Sequence, residues 1–227
     1  VAGADQVADL AVGRLSVATP DELSTAIEKI AAYEDAAVDQ WVLRAMMVTD
    51  DNEEFPTVAS EVIERTAAPP AIFEHFRESA YPYVPNVRVY GKQRSWEATR
   101  ELIRRFDEGR LLVIYWGHGG PNLWSHERLF HLADLRQLRP TSHIPFVACA
   151  SCDNAWLDYP IPPVHFSMGE LLVKQPNGGA IGVFAPVSGA TPYEHQTLMT
   201  RLVEGLLRRN VRRLGEATLY AKNQYYG

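Results

Sequence analysis

The chain has 227 residues, of which 46% are hydrophobic and 22% charged, and a formal net charge of −6. A single α/β domain is the natural expectation at this length and composition. Mild acidity without a basic run excludes the usual footprint of a nucleic-acid binder, and no apolar stretch approaches the ~20 residues that span a bilayer. The sequence begins at Val1 without a visible signal peptide, which leaves export and compartment open. Two cysteines at close spacing make no disulfide framework.

In chain order, residues 1–17 contain ADLAVGRLSV, whose alternation around Gly13 predicts a short edge strand or an extended lead-in. Thr19-Pro20-Asp21-Glu22 opens a helix, with Thr19 as N-cap and proline at the first helical position. Leu23, Ile27, Ile30 and Ala31 form a stripe expected to pack, running down to Tyr33. Residues 41–49 (WVLRAMMVT) predict a buried strand that ends in the acidic run 50–54 (DDNEE). A helix from Phe55 or Pro56 to Arg65 turns Val58, Val62 and Ile63 inward, residues 67–70 break it, and 72–79 predict a short helix. Residues 81–85 (YPYVP) read as a surface loop, because prolines remove backbone donors.

A short strand is expected at 87–90, then a helix at 95–106 with Ser95 as N-cap and Leu102, Ile103 and Phe106 buried. Asp107-Glu108-Gly109 stops it before a central strand at 111–115. Residues 134–138 predict a short helix or turn ahead of Pro140, and Pro145-Phe146 begins the next strand. A proline- and aromatic-rich loop covers 156–166, Ser167 caps a helix to Val173, and 177–179 form a turn. A strand at 180–185 leads into 186–190 (PVSGA), and amphipathic helices at 192–209 and 211–225 close the chain. Alternation of strands and helices predicts a mostly parallel sheet with helices on both faces.

Two apolar runs end in reactive clusters. LLVIYWGHGG delivers His118, and IPFVACASCDN delivers Cys152. In a parallel sheet both tips reach the carboxyl edge, where open α/β sheets place their chemistry. Cys149-x-x-Cys152 has the spacing of a redox pair or half a zinc site. Zinc needs further ligands at set spacings, which are missing. Cys149 lies inside the apolar run and reads as a small buried residue, and Cys152 lies at the strand tip. His75, His126, His131, His143, His165 and His195 lie in helices, loops or polar connections and read as surface or packing residues. Asp50 or Asp51, ending the strand at 41–49, is a candidate orienter for His118, although a charge run is often only a solvated loop. No Gly-rich nucleotide loop is present.

Gly117-His118-Gly119 after an apolar strand, then Trp124, Leu135, Leu138, Pro145-Phe146 and Cys152-x-Asn154, resemble in order and spacing the gingipain-type cysteine peptidases of caspase-like fold. The likeness runs from Val12-Gly13-Arg14 to Leu214-Gly215-Glu216-Ala217, with Ala155 where the family usually has glycine. It implies one peptidase domain over 1–227, a caspase-like three-layer sandwich, lacking flanking N- and C-terminal segments of the family. It also implies an endopeptidase with Cys152 as nucleophile, His118 as acid–base and the Gly119 N–H, with that of Cys152, facing the oxyanion. By the same resemblance, cleavage follows a basic residue recognised by a carboxylate in the 50–54 loop, Glu54 first and Asp51 next. Ser188 and Gly189 would pair with an extended peptide in the manner of strand addition. By the resemblance, Gly189 or Ala190 stands where the family has an aromatic pocket wall, and Tyr193, at the start of the next helix, is the large side chain expected to replace it.

No cofactor is required. Related peptidases bind calcium, and an acidic run such as 50–54 could hold a structural calcium whose ligands stay unassigned. The expected partners are a protein or peptide substrate and associated chains or domains of the same precursor, with no nucleic acid and no membrane span. Resemblance suggests a secreted or cell-surface bacterial protein. The alternatives are a catalytically silent caspase-like domain used for binding or scaffolding, for which Ala155 and the missing N-terminal segment of the family speak, and a thiol–disulfide oxidoreductase needing both cysteines.

Overall fold

A computed structural model describes residues 7–84, 88–89, 92–139, 141–158, 166–176, 178–189 and 191–226. In chain order its elements are α1 (Pro20–Glu34), β1 (Arg44–Thr49), α2 (Glu54–Thr66), β2 (Ile72–Arg77), β3 (Arg88–Val89), β4 (Lys92–Gln93) and α3 (Trp96–Asp107). There follow β5 (Leu112–Trp116), β6 (Gly119–Gly120), β7 (Leu123–Trp124), β8 (Phe130–His131), β9 (Phe146–Ala150), α4 (Met168–Lys174), β10 (Gly182–Phe184), α5 (Pro192–Leu207) and α6 (Leu214–Tyr226).

The main sheet has five strands in the order β10-β9-β5-β1-β2, and every pairing in it is parallel. Parallel strands need crossovers, and the intervening helices cover both faces. The period-2 alternation of the strands sorts their side chains into two cores. Val113, Tyr115 and Cys149 pack with α3, α4 and the aromatic group Trp124 and Phe130. Leu112, Ile114, Trp116, Ala148 and Ala150 pack on α2, α5 and α6. β5 is buried along its whole length, as its unbroken apolar run predicts.

Most predicted helices stand where their caps place them. Thr19 accepts from the Glu22 N–H, Ser95 from Ala98, and Ser167 forms a capping box with Glu170. Gly109, at φ +77°, ends α3, a conformation that glycine adopts without strain. Three expectations are corrected. Residues 72–79 form no α-helix: Ile72–Arg77 is an edge strand that pairs in parallel with the whole of β1, with Phe76 buried, and Glu78–Ala80 make a single 3-10 turn after it. The ladder along β1 outweighs the local helical tendency of so short a segment. The strand at 41–49 starts later, because the Asp39 carboxylate accepts from the Trp41 N–H and holds Gln40–Leu43 in a 3-10 turn. The α1 stripe does not pack: Leu23 and Ile27 are 39% and 55% exposed, and only Ala26 is buried. That helix is anchored instead by Lys29, whose Nζ donates to the carbonyls of Leu172, Val173 and Gln175 at the end of α4.

Residues 7–18 form an extended lead-in and no strand, tied at Ala8 to the Asn223 amide of α6. The prediction of a strand at 87–90 is met at Arg88–Val89, with residues 87 and 90 outside the described residues. Pro85, Pro140, His165, Asn177 and Ala190 also lie outside them, as do 159–165 of the proline-rich loop. Among the described residues, no helix is long and apolar enough to cross a membrane.

Candidate active site

The chain runs from β1 out to β2 and returns to the other side of β1 with β5, then continues to β9 and β10. The direction of strand addition therefore reverses between β1 and β5, and a crevice opens outside the carboxyl ends at such a switch point. The ends of β1, β5 and β9 carry Asp50-Asp51-Asn52, His118 and Cys152.

Register sets the last two level. Trp116 pairs with Ala150 across β5 and β9, and His118 and Cys152 lie two residues beyond each. The Gly117 N–H bonds the Ala150 carbonyl at 3.2 Å, continuing the contact past the strand ends. A Cβ on Gly119 would lie 2.9 Å from Ser151 Cβ and 3.0 Å from the Cys152 carbonyl oxygen. No larger residue fits while the two loops touch in this way. His118 and Cys152 are both half-buried, so the crevice reaches solvent.

Phe55, His126 and Asn52 are among the neighbours of the His118 side chain. Its ring meets Phe55 edge-on at 5.2 Å and stacks on His126 at 4.2 Å. The Asn52 amide Nδ2 lies 3.1 Å from Nε2, so the amide donates when that nitrogen carries no proton. Asp50, a candidate orienter from the sequence, acts on the backbone: its Oδ2 accepts from the His118 N–H at 2.9 Å. Burial, reinforced by a hydrogen bond with Asp51, pushes the Asp50 carboxyl up to about 7, against the opposing effect of the His118 N–H. Of the histidines expected to be ordinary, His126 is drawn into the site. Asn52 and His126 were hidden in the sequence because neither sits at a strand tip; only the position of Asn52 in the loop after β1 hinted at it.

Around Cys152 the loop is held by Asn154. Its Nδ2 donates to the Gly120 carbonyl at 2.6 Å and the Leu123 carbonyl at 3.3 Å, and its Oδ1 accepts from Ser151 at 2.7 Å. The asparagine of the Cys-x-Asn motif thus clamps the Cys152 loop to the loop that follows His118. Asp153, between them, adopts φ +57°, whereas Ala155 is outside the left-handed region and gives its N–H to Pro186 at 2.9 Å. Alanine therefore fits where glycine was expected, so Ala155 by itself does not speak for a silent domain. Cys149 faces the core, 1% exposed, and burial pushes its thiol up. Both cysteines are free thiols. A sealed Cys149 is a poor exchange partner, which weighs against the redox alternative.

Gly189 lies beside the thiol: a Cβ there would sit 3.9 Å from Cys152 Sγ, at ordinary contact distance. Ser188, whose carbonyl accepts from the Asp153 N–H at 3.5 Å, and Gly189 are exposed. The remaining proposed residues are less tightly drawn in. Tyr193 is 69% exposed on the first turn of α5. Glu54 is exposed at the start of α2. Asp51 is half-buried and accepts from the Tyr83 hydroxyl at 3.3 Å.

The chain matches the model of peptidase family C25 over residues 1–227. It is 23% identical over 219 residues to gingipain R2 of Porphyromonas gingivalis (strain ATCC 33277), covering 89% of this chain and 27% of that protein. A gingipain R1 of the same species is also 23% identical, with 20% of its length covered. The chain thus spans about a quarter of the length of these curated relatives. Among solved structures, the Arg-specific cysteine proteinase gingipain R superposes on 100% of this chain and 54% of its own, with a TM-score of 0.77 at 17% identity. A complex of the gingipain pro- and mature domains gives 0.66 at 16% identity, over 97% of this chain and 56% of that one. These likenesses give the five-stranded α/β layers a gingipain fold, and the family match across every residue makes the chain a member of peptidase family C25.

Proposed function

We propose that this chain is the catalytic part of a cysteine endopeptidase that cuts after a basic residue, with Cys152 as nucleophile and His118 as acid–base. The observation that supports this most is the β5–β9 register, which levels the loops bearing the imidazole and the half-buried thiol at the carboxyl edge of the sheet, beside its switch point. His118 takes the thiol proton, and the thiolate attacks the scissile carbonyl carbon. The carbonyl oxygen becomes an oxyanion facing the N–H groups of Gly119 and Cys152. Collapse of this intermediate breaks the C–N bond, with His118 returning the proton to the leaving amine. The acyl thioester left on Cys152 is then attacked by a water that gives its proton to His118, releasing the carboxylate product and the thiol.

An extended substrate lies along Ser188 and Gly189, where the missing side chain of Gly189 keeps the approach to Sγ open. Tyr193 borders that approach from α5. The basic side chain before the scissile bond meets the 50–54 loop, with Glu54 as its principal carboxylate and Asp51 as the second. The solved relative named as Arg-specific supports the same preference. Associated domains of the same precursor are the expected partners, as in the solved pro- and mature-domain complex.

Peptides bearing Arg, Lys, Asp, Leu or Asn before the scissile bond test the specificity. Arg or Lys should be cleaved fastest, and Glu54→Ala should erode that advantage more than Asp51→Ala does. Charge-assisted recognition of this kind is worth roughly 100-fold or more in kcat/KM. A preference for Asp or Leu would refute the basic pocket.

A further inference from the structure

The turn after β7 brings a second imidazole to the crevice. Of residues 125–128, His126 alone is exposed, yet its ring lies on that of His118, with centroids 4.2 Å apart and planes 16° from parallel. The backbone on either side is bent to allow this. Ser125 and Arg128 adopt φ +65° and +59°, a left-handed region that costs residues other than glycine. The turn is held closed regardless. The Ser125 hydroxyl donates to the Glu127 carboxylate at 2.6 Å and accepts from the Glu127 N–H at 3.0 Å, and the Arg128 N–H bonds the Ser125 carbonyl at 3.1 Å. Backbone strain maintained by its surroundings gathers where a side chain has to be aimed. The same turn is tied to both loops of the site. The Ser125 N–H donates to the His118 carbonyl at 2.8 Å, and Asn154, two residues after Cys152, donates to the Leu123 carbonyl at 3.3 Å, two residues before Ser125.

The torsion that swings an imidazole about its Cβ–Cγ bond is broad, so rotamer preference alone does not set the plane of the His118 ring. The Asn52 amide fixes one direction by its contact at Nε2, and a single contact of that kind leaves the ring free to tilt about it. Phe55 meets the ring nearly perpendicular, at 88°, and offers no parallel surface. A flat ring stacked on the face removes the tilt. We propose that His126 is a positioning residue of the peptidase reaction, a stacked wall that holds the plane of the His118 imidazole while the proton passes between it and Cys152. This rests on the reading of His118 as acid–base. Planarity is what the role asks of residue 126, so an aromatic side chain serves there and an aliphatic one does not. The turn itself is held by Ser125 and Glu127, so an exposed His126 can be replaced without loss of the fold.

In protein carrying Cys152→Ala, where the readout needs no peptidase activity, the carbon-bound ring protons of His118 are followed by NMR at fixed pH. The current of the facing ring should hold them upfield; His126→Ala should move them downfield, and His126→Phe should keep them upfield. With Cys152 intact and an arginyl peptide as substrate, His126→Ala should lower kcat roughly 10–100-fold, as losing a partner that orients a histidine does, with KM and Tm unchanged. His126→Phe should recover most of that loss, and His126→Leu, of similar bulk but not flat, should not. His118 resonances that ignore His126→Ala would overturn the proposal at the level of the stack. Unchanged kcat in His126→Ala, a raised KM at unchanged kcat, or equal recovery by leucine and phenylalanine would overturn the role, while turnover by the parent chain leaves the peptidase reading standing. A parent chain that cleaves no peptide would instead refute that reading, and the role with it.

Discussion

Asn52 shows how a single side chain shapes the site. A histidine that takes and returns a proton needs one ring orientation and one tautomer, both set by what its other nitrogen meets. Here the Asn52 amide meets Nε2 at 3.1 Å, while Phe55 and His126 flank the ring. Asn52→Ala should lower kcat roughly 10–100-fold, the usual cost of losing a ring-orienting partner. KM should hardly move, and the pH profile of kcat should shift, because the residue touches the imidazole and no part of the substrate. A variant that raises KM at unchanged kcat would place Asn52 in substrate binding instead. At this scale the sequence revealed His118 and Cys152 because both follow long apolar runs. It hid Asn52 and His126, whose places beside the ring come from loops that meet only after the sheet has formed.

Among the elements, the edge strand β2 carries a pH-sensitive contact. His75 Nε2 lies 3.1 Å from the Thr49 hydroxyl across the β1–β2 ladder, and its Nδ1 accepts from Arg77 at 3.4 Å. Burial, with the charge of Arg77 second, lowers the His75 pKa to about 4. The folded chain therefore holds this proton less tightly than the unfolded chain does. The resulting stability is fully present above the unfolded value of about 6.5 and is lost as pH falls from there towards 4. His75→Gln should show a smaller drop in Tm between pH 7 and pH 4.5 than the parent chain, and equal drops would contradict this assignment. The strand itself was misread as a helix. Its six residues give helical and strand periodicity little room to differ, and its type is decided by pairing with β1, which no local pattern contains. Helices with strong caps were legible, whereas the exposed stripe on α1 shows that amphipathic spacing does not say which face finds a neighbour.

For the molecule as a whole, chain order and chemistry converge on one edge. The five-stranded parallel sheet brings the ends of β1, β5 and β9 together at the switch point, with Gly189 beyond β10 beside the thiol. That arrangement was legible in outline, because alternating elements imply a parallel sheet and a parallel sheet implies a shared carboxyl edge. The depth of the crevice was not, since it depends on close approaches such as Gly119 against Ser151. The most direct test of the account is to treat folded, reduced protein with an arginyl peptide carrying a thiol-reactive electrophile and to locate the adduct by mass spectrometry. One equivalent should attach to Cys152 and none to Cys149; the rate should fall roughly 100-fold or more in His118→Ala, and Cys152→Ala should neither react nor cleave peptides. An unmodified Cys152, or an adduct on Cys149, would contradict the assignment of Cys152 as the nucleophile.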